Sequence, residues 1–469
     1  MSRWISSSHR AIGVWVGLAL TLDLTGAQHV YRLASVGAAA LVLLALLWLA
    51  PADSRGGLAP WLAPPWRALA LLPLLALIAA MLDLAVFVPP NNGWNAARLA
   101  LLLGGGLALL LGARAGAAWL AGVALGLGTI IRVTHMHYIP IAPPHGDMLP
   151  LVQGALTHLL AGASPYRTYQ MPWPVPLTYL PLTWLAYLPA FVLQVDLRWT
   201  NIVAELAILS ALLWVSAQRQ GWSETLRREP ALALWAWLYL QPSVIHWDTG
   251  NTAPITWALL ALLWALALSG RTRATAVALG CAAATSPLVA VFAVLLGLYW
   301  LRQHGARGAL RLAALAAAVA ALLILPFLLW TPHAFVEGTY RWFNQIDGWP
   351  RQKWLETDPP VWSIITGFSG EFWSRGAERW LKPLQALIVL AIAALFWWRG
   401  ARVSLLTAHA VAAYLGFMLF NPVLWPYLYN PALVVGLVGI AAAPLPEGAR
   451  AAQAPTTPAA IPALQVKGP

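Results

Sequence analysis

Runs of about twenty residues with very few charges recur along this chain and restrict its fold more than any other feature. Tyr31–Ala50, Arg67–Val88 and Leu310–Trp330 each approach the roughly 20 apolar residues that carry a helix across a bilayer. Composition agrees. The chain is 60% hydrophobic and 9% charged, against about 25% charged in a soluble domain. Its 469 residues therefore count membrane spans rather than globular domains. The 28 tryptophans point the same way, because many fall near predicted helix ends, where Trp and Tyr form interfacial belts.

The net charge of +12 is not a nucleic-acid signal. Arginines gather in short connections (Arg114; Arg219, Arg227 and Arg228; Arg271 and Arg273; Arg302, Arg307 and Arg311; Arg399 and Arg402), the distribution left by positive-inside sorting. The single cysteine, Cys281, excludes an intramolecular disulfide and a cysteine metal cage, and reads as a small buried hydrophobe. The N-terminus lacks a small-residue cleavage site, so the first helix is expected to stay.

Apolar segments at about 11–27, 31–50, 67–89, 96–112 and 115–132 form an N-terminal block, 1–132. With the N-terminus inside, the Arg55–Arg67 and Arg114 connections fall in the cytoplasm, and the uncharged PPNNG at 89–93 falls outside. An extracytoplasmic loop, 133–175, follows. A central block, 176–330, holds spans near 199–216, 231–246, 252–269, 274–301 and 310–330. The run 274–301 is too long for one plain crossing and carries Ser286-Pro287 midway, so two short or broken helices are expected. Segment 176–196, with Pro176, Pro181 and Pro189, would put the basic loop 217–230 outside if it crossed. It is expected to enter partly or lie at the interface. A second extracytoplasmic loop, 331–382, mixes both signs of charge with tryptophans and reads as a folded cap or groove. Spans near 383–398, 402–421 and 424–443 close the membrane part, and the Pro/Ala-rich tail 444–469 reads as disordered. The fold class is an all-α polytopic membrane protein of about 12–14 helices.

Within the first loop, PPHGDMLP (143–150) sets one carboxylate, Asp147, among prolines. Leu149, Val152, Leu156, Leu159 and Leu160 then recur at helical spacing, giving an amphipathic helix at the membrane surface that stops near Gly162. By residue type alone Asp147 is a helix N-cap. His135, His137 and His145 raise the question of a metal, but His-x-His on a helix end does not put both rings on one face, so they read as interfacial histidines. Asp23 and Asp83 lie near predicted outer ends of spans and can snorkel. Glu205 lies deep in an apolar segment, where a charge costs at least about 2.5–3.5 kcal/mol, and it has no role legible from sequence.

Several short motifs occur in order after Asp147: Gly162-Ala163-Ser164-Pro165-Tyr166, Thr178-Tyr179-Leu180-Pro181-Leu182, Gly250-Asn251-Thr252 after Gln241-Pro242, Ala284-Thr285-Ser286-Pro287, Leu325-Pro326-Phe327 with Ala334-Phe335, and Asn421-Pro422-Val423-Leu424-Trp425. Together they resemble the membrane glycosyltransferases of the C-type (GT-C) superfamily, most of all glycosyltransferase family 87, the polyprenyl-phosphate-mannose-dependent mannosyltransferases and their relatives. The resemblance covers roughly residues 140–435. Three positions depart from it. Ser286 stands where the family has a basic residue, Asn251 replaces its Gln, and Tyr427 and Leu428 replace its late His-Tyr.

The resemblance implies a metal-independent hexosyltransferase, with no cofactor. It would move mannose or another hexose from a polyprenyl phosphate sugar to a lipid or glycan acceptor. The site would face outward from a bacterial cytoplasmic membrane, among membrane lipid and without nucleic acid. Inverting transfer is a single displacement at the anomeric carbon and needs one base to take the acceptor's proton. A retaining double displacement would need a second close carboxylate, and the sequence places none beside Asp147. Asp147 is the expected catalytic base; an ordinary Asp, pKa about 3.9, is already ionised at neutral pH. The leaving phosphate needs positive charge or donors. The candidates are Arg341, His246, Arg167, Arg351 and Lys353, each of which alone reads as a solvated cation. His145, Tyr166, Tyr179, Asp248, Asn251 and Trp425 are the expected substrate contacts. Two rival functions stay open: a transporter or flippase for lipid-linked sugars, which should show matched halves, and a non-catalytic relative that binds polyprenyl phosphate.

Overall fold

The structure, a computed structural model, describes residues 12–20, 69, 71–87, 92–171, 174–241, 250–342, 377–421 and 426–443. The described residues are helical almost throughout, because in a slab without water an apolar run satisfies its backbone groups only by bonding to itself. The exception is one antiparallel pair, β1 (Thr168–Gln170) with β2 (Pro174–Pro176). Among the described residues, five helices are long and apolar enough to cross a membrane. This is an all-α polytopic membrane protein.

After a helical stretch at 12–20 come helices α1 (Leu71–Phe87), α2 (Asn92–Ala115) and α3 (Ala117–Tyr138). Then come the surface helix α4 (Met148–Leu160), the five-residue helices α5 (Pro181–Leu185) and α6 (Leu188–Val192), and the long α7 (Arg198–Gln220). At about 1.5 Å per residue, neither α5 nor α6 can cross, so 176–196 stays on the side it started from. After α8 (Trp222–Arg228), α9 (Pro230–Leu240) runs through the centre of the molecule, buried on every side from Ala231 to Leu240.

Two ends can be told apart. At one, the Gly116 turn packs on α8 so closely that a Cβ there would lie 3.1 Å from Arg227 O, joining the Arg114 and Arg227/Arg228 connections. The buried Glu229 sits at this end. Its carboxylate accepts from Ser216 Oγ (2.5 Å), Arg219 Nη2 (2.7 Å), Gln220 Nε2 (2.9 Å) and Ala231 N (3.2 Å). At the other end, Arg198 starts α7 and donates to Ile139 O (2.7 Å) and Met136 O (3.0 Å), just past and within the last turn of α3. Helix α3, 22 residues or roughly 33 Å long, therefore separates the Asp147 loop from the basic connections.

The apolar pattern predicts a span ending at Arg132, but α3 continues to Tyr138. The reason is Glu205. Arg132 Nη2 meets Glu205 Oε2 at 2.8 Å with both side chains buried, and its Nη1 donates to Tyr239 O (3.0 Å) and Gly128 O (3.3 Å). The guanidinium also lies 3.8 Å from the centroid of the Tyr239 ring. A charge satisfied this fully does not need the interface, so the helix carries it inward. Glu205 thereby acquires a partner.

Helices α10 (Ala253–Leu268) and α11 (Thr272–Ala283) lead to the expected break at Ser286-Pro287. Then α12 (Ala290–Trp330) is cut at Gly305 (φ 66°, ψ 177°) into two limbs, with Arg302, Arg307 and Arg311 exposed around the cut. With 12 residues, α11 rises only about 18 Å, so its tip lies within the bilayer's roughly 30 Å core. Backbone freed at that depth needs partners, and α5 supplies them. Leu182 N donates to Ala284 O (3.1 Å) and Thr183 Oγ1 to Thr285 O (2.7 Å). Helices α13 (Pro332–Val336), α14 (Leu381–Trp398), α15 (Val403–Leu419) and α16 (Asn430–Ala442) complete the chain. Part of the expected span 11–27, all of 31–50, most of the second loop, and the tail 444–469 lie outside the described residues.

Candidate active site

The Asp147 loop is shaped by its neighbours. Pro143 and Pro144 begin a 3-10 turn through His145, and Gly146 (φ 156°) turns the chain into α4. Gly146 is held against Gly250: a Cβ on Gly250 would lie 3.3 Å from Gly146 Cα, tighter than almost any real contact. Two glycines let the two backbones touch. The first loop and the turn before α10 are joined at this point.

Asp147 stands at the N-cap position but does not cap. Its backbone is helical and its side chain makes no cap hydrogen bond; only its carbonyl accepts from Leu151 N (3.0 Å). The side chain is half-buried. That burial raises its pKa above the usual carboxylate range, and its own backbone N–H offsets part of the rise. An ordinary aspartate is already ionised at neutral pH; removal from water makes this carboxylate a stronger base.

Two tyrosines share its field. Burial is the main reason that Tyr179 titrates well above the usual range, and the charge of Asp147 adds to the effect. The same charge acts on Tyr427, in the 3-10 turn Pro426–Tyr429 before α16. Sequence reasoning noted Tyr427 only as a departure from a motif. Its nearness to Asp147 has no local signal, because 280 positions of chain separate the two residues along a path only the fold closes.

The remaining motifs interlock around this pair. Tyr166 is fully buried, donates from Oη to Tyr179 O (2.8 Å), accepts from Trp184 Nε1 (3.3 Å) and packs against the Phe335 ring at 4.6 Å. It fixes the Tyr179 backbone. Asn251 is also buried. Its Oδ1 accepts from Ala253 N (2.8 Å) to start α10, and its carbonyl accepts from Asn201 Nδ2 (2.8 Å) and Tyr187 Oη (3.4 Å). Ser286, in the position of the family's basic residue, accepts from Leu288 N (3.3 Å). Together with Thr256, Tyr414 and Tyr427 it lines a cavity of ≈ 50 Å³, so two of the three departures face one space. Asp147 is not among the residues lining it.

The cations divide. Arg341 is exposed, 3.9 Å from Glu337, on the π-helical turn Glu337–Arg341. That turn presses on the strand leading to Tyr179: a Cβ on Gly338 would lie 2.2 Å from Leu177 O. Arg167 and His145 are exposed. His135 is buried with Nδ1 at Ile131 O (3.0 Å), and the His137 ring lies edge-on to Tyr138 at 4.9 Å. His246, Asp248, Arg351, Lys353 and Trp425 lie outside the described residues.

The model of glycosyltransferase family 87 matches residues 172–422. The match takes in Tyr179, Asn251, Ser286 and Arg341, and begins after Asp147 and Tyr166. No curated protein and no solved structure matches the chain. The match spans more than half of the 469 residues, across α5, the Asn251 turn and the Ser286 break, and the chain belongs to glycosyltransferase family 87, a membrane glycosyltransferase.

Proposed function

We propose that the protein transfers a hexose, mannose by analogy with the family, from a polyprenyl phosphate sugar to a lipid or glycan acceptor on the extracytoplasmic face, with inversion. The observation that carries this reading is the state of Asp147. It occupies a capping position without capping, and it sits half-buried where the motif segments converge. Its place at the end of α3 opposite the Arg227/Arg228 connection supports the outward orientation.

The chemistry is one displacement. The acceptor oxygen attacks the anomeric carbon, and the bond from that carbon to the phosphate oxygen breaks, leaving its electron pair on polyprenyl phosphate. The acceptor proton passes to the Asp147 carboxylate. Raised basicity helps that transfer, and an ionised Asp147 remains necessary for it. Charge growing on the departing phosphate calls for a cation. Arg341 is the described residue best placed to supply it, since its turn rests on Leu177, two residues before Tyr179.

The test uses membranes carrying wild type or Asp147→Asn, supplied with radiolabelled polyprenyl phosphate sugars. Wild type should label a lipid or glycan product whose new linkage has the opposite anomeric configuration to the donor. The variant should not. Equal labelling by both would remove Asp147 from the mechanism.

A further inference from the structure

A second, larger space opens beside the Asp147 loop. It is a groove of ≈ 650 Å³ between the end of α3, the surface helix α4 and the α6–α7 connection. Its floor, Pro140 and Ile141, runs directly into the Asp147 loop. Its polar lining is Gln153, Gln194, Asp196 and Arg198, and Phe191 contributes an aromatic face. Gln153 lies six residues beyond Asp147 on α4, roughly 9 Å along the axis.

The polar lining is built. Arg198 is 2% exposed and grips Asp196 with Nε on Oδ1 (2.9 Å) and Nη2 on Oδ2 (2.6 Å), while its other bonds go to the α3 carbonyls. The guanidinium is consumed inside the wall, and Asp196 Oδ1 also accepts from Arg198 N (2.9 Å), so the groove meets the remaining lone pair of Oδ2 on a fixed, charge-balanced carboxylate. Gln194 holds φ 57°, the left-handed position at which the chain leaves α6, with Val195 N bonded to Ala190 O (3.0 Å) and Gln194 N to Phe191 O (3.1 Å). The carboxamides of Gln153 and Gln194 make no hydrogen bond to any described residue. Two idle amides, a carboxylate edge and an aromatic face match a neutral polyol: hydroxyls donate to Asp196 and exchange both kinds of bond with the amides. An anion would meet no available positive charge.

The rim adds the second half of the ligand. Val192 is 58% exposed, Leu193 72% and Trp199 41%, and an exposed Trp among aliphatics marks a bilayer interface. We propose that this groove holds the acceptor, and that the acceptor is a membrane-anchored lipid with a neutral polyhydroxyl headgroup. The headgroup lies on Gln153, Gln194 and Asp196 while its tail leaves over Leu193 and Trp199 into the bilayer. The proposal rests on the transferase reading above and names its second substrate.

The test is photocapture of a diazirine-bearing dodecyl glucoside by the full-length protein in nanodiscs, with cross-links mapped by mass spectrometry. The variant is Gln153→Ala with Gln194→Gly, which keeps a good helix former in α4 and relieves the backbone at 194. Wild type should be labelled within 136–141 and 191–198. The variant, missing two hydrogen-bonding side chains, should require roughly tenfold more probe. Unlabelled dodecyl glucoside should compete, whereas methyl glucoside and dodecylphosphocholine should not. Equal capture by the variant, competition by dodecylphosphocholine, or competition by methyl glucoside would each overturn the proposal. Capture needs neither donor nor Asp147. Intact capture without any sugar transfer would sink the transferase reading, and intact transfer with unchanged acceptor KM in the variant would sink the groove.

Discussion

An asparagine at 147 separates what the aspartate contributes to chemistry from what it contributes to folding. Losing a positioned general base typically costs 10² to 10⁴ in rate, so Asp147→Asn should lower single-turnover transfer by about that factor without changing donor capture. Stability should move the other way. Burial raises the folded-state pKa of Asp147 above its unfolded value, so ionising it costs folding free energy. Its unfavourable effect appears as pH rises through the unfolded value of about 3.9 and is complete above the folded value. The variant should therefore unfold at a higher temperature than wild type at pH 7, and the gap should close toward pH 3. A variant less stable at pH 7 would show that the carboxylate is held by favourable contacts instead. The same shift moves the acid limb of kcat/KM upward from where an ordinary aspartate would put it, because the base is lost once protonated.

Among the helices, the pair between α3 and α7 offers the sharpest test. Glu205→Ala leaves Arg132 buried without its carboxylate, and breaking a buried pair on one side costs about 3–5 kcal/mol. Replacing both with Met should restore most of that stability, since two matched apolar side chains need no partner. Denaturant midpoints of the detergent-solubilised variants measure this; equal losses in the single and double variants would mean the two charges are not coupled. The pair also marks where sequence reading stops. Apolar runs located the helices, and Ser286-Pro287 located the break after α11, because both signals are local. Arg132 looked like the end of a span and Glu205 like an orphan, because what reconciles them is a contact between helices 73 positions apart along the chain. The site divides the same way. Asp147 stands out as a candidate from its loop and its motif neighbours, whereas the nearness of Tyr427 and the clamping of Asp196 by Arg198 depend on packing that no window of sequence contains.

At the scale of the whole molecule, the reading depends on which face the Asp147 loop occupies, and sidedness can be measured apart from activity. The fold ties Gly116 and Arg227 together at one end and His145, Gly146 and Gly250 at the other, with a helix long enough to cross between them. Positive-inside sorting would put the first end in the cytoplasm. The single native cysteine, Cys281, can be replaced by alanine to give a silent background. In that background His145→Cys, at an exposed position, should react with a membrane-impermeant maleimide in intact cells. Arg228→Cys, also exposed, should react only after the membrane is opened. The reversed pattern would put Asp147 in the cytosol, and a lipid-linked donor held in the outer leaflet would then be out of its reach whatever the basicity of its carboxylate. Labelling of both residues from outside would mean that α3 does not cross at all, which its 22 residues and its end-to-end contacts contradict. Only the expected pattern lets the half-buried carboxylate, the interfacial rim at Trp199 and an isoprenoid tail meet in one leaflet.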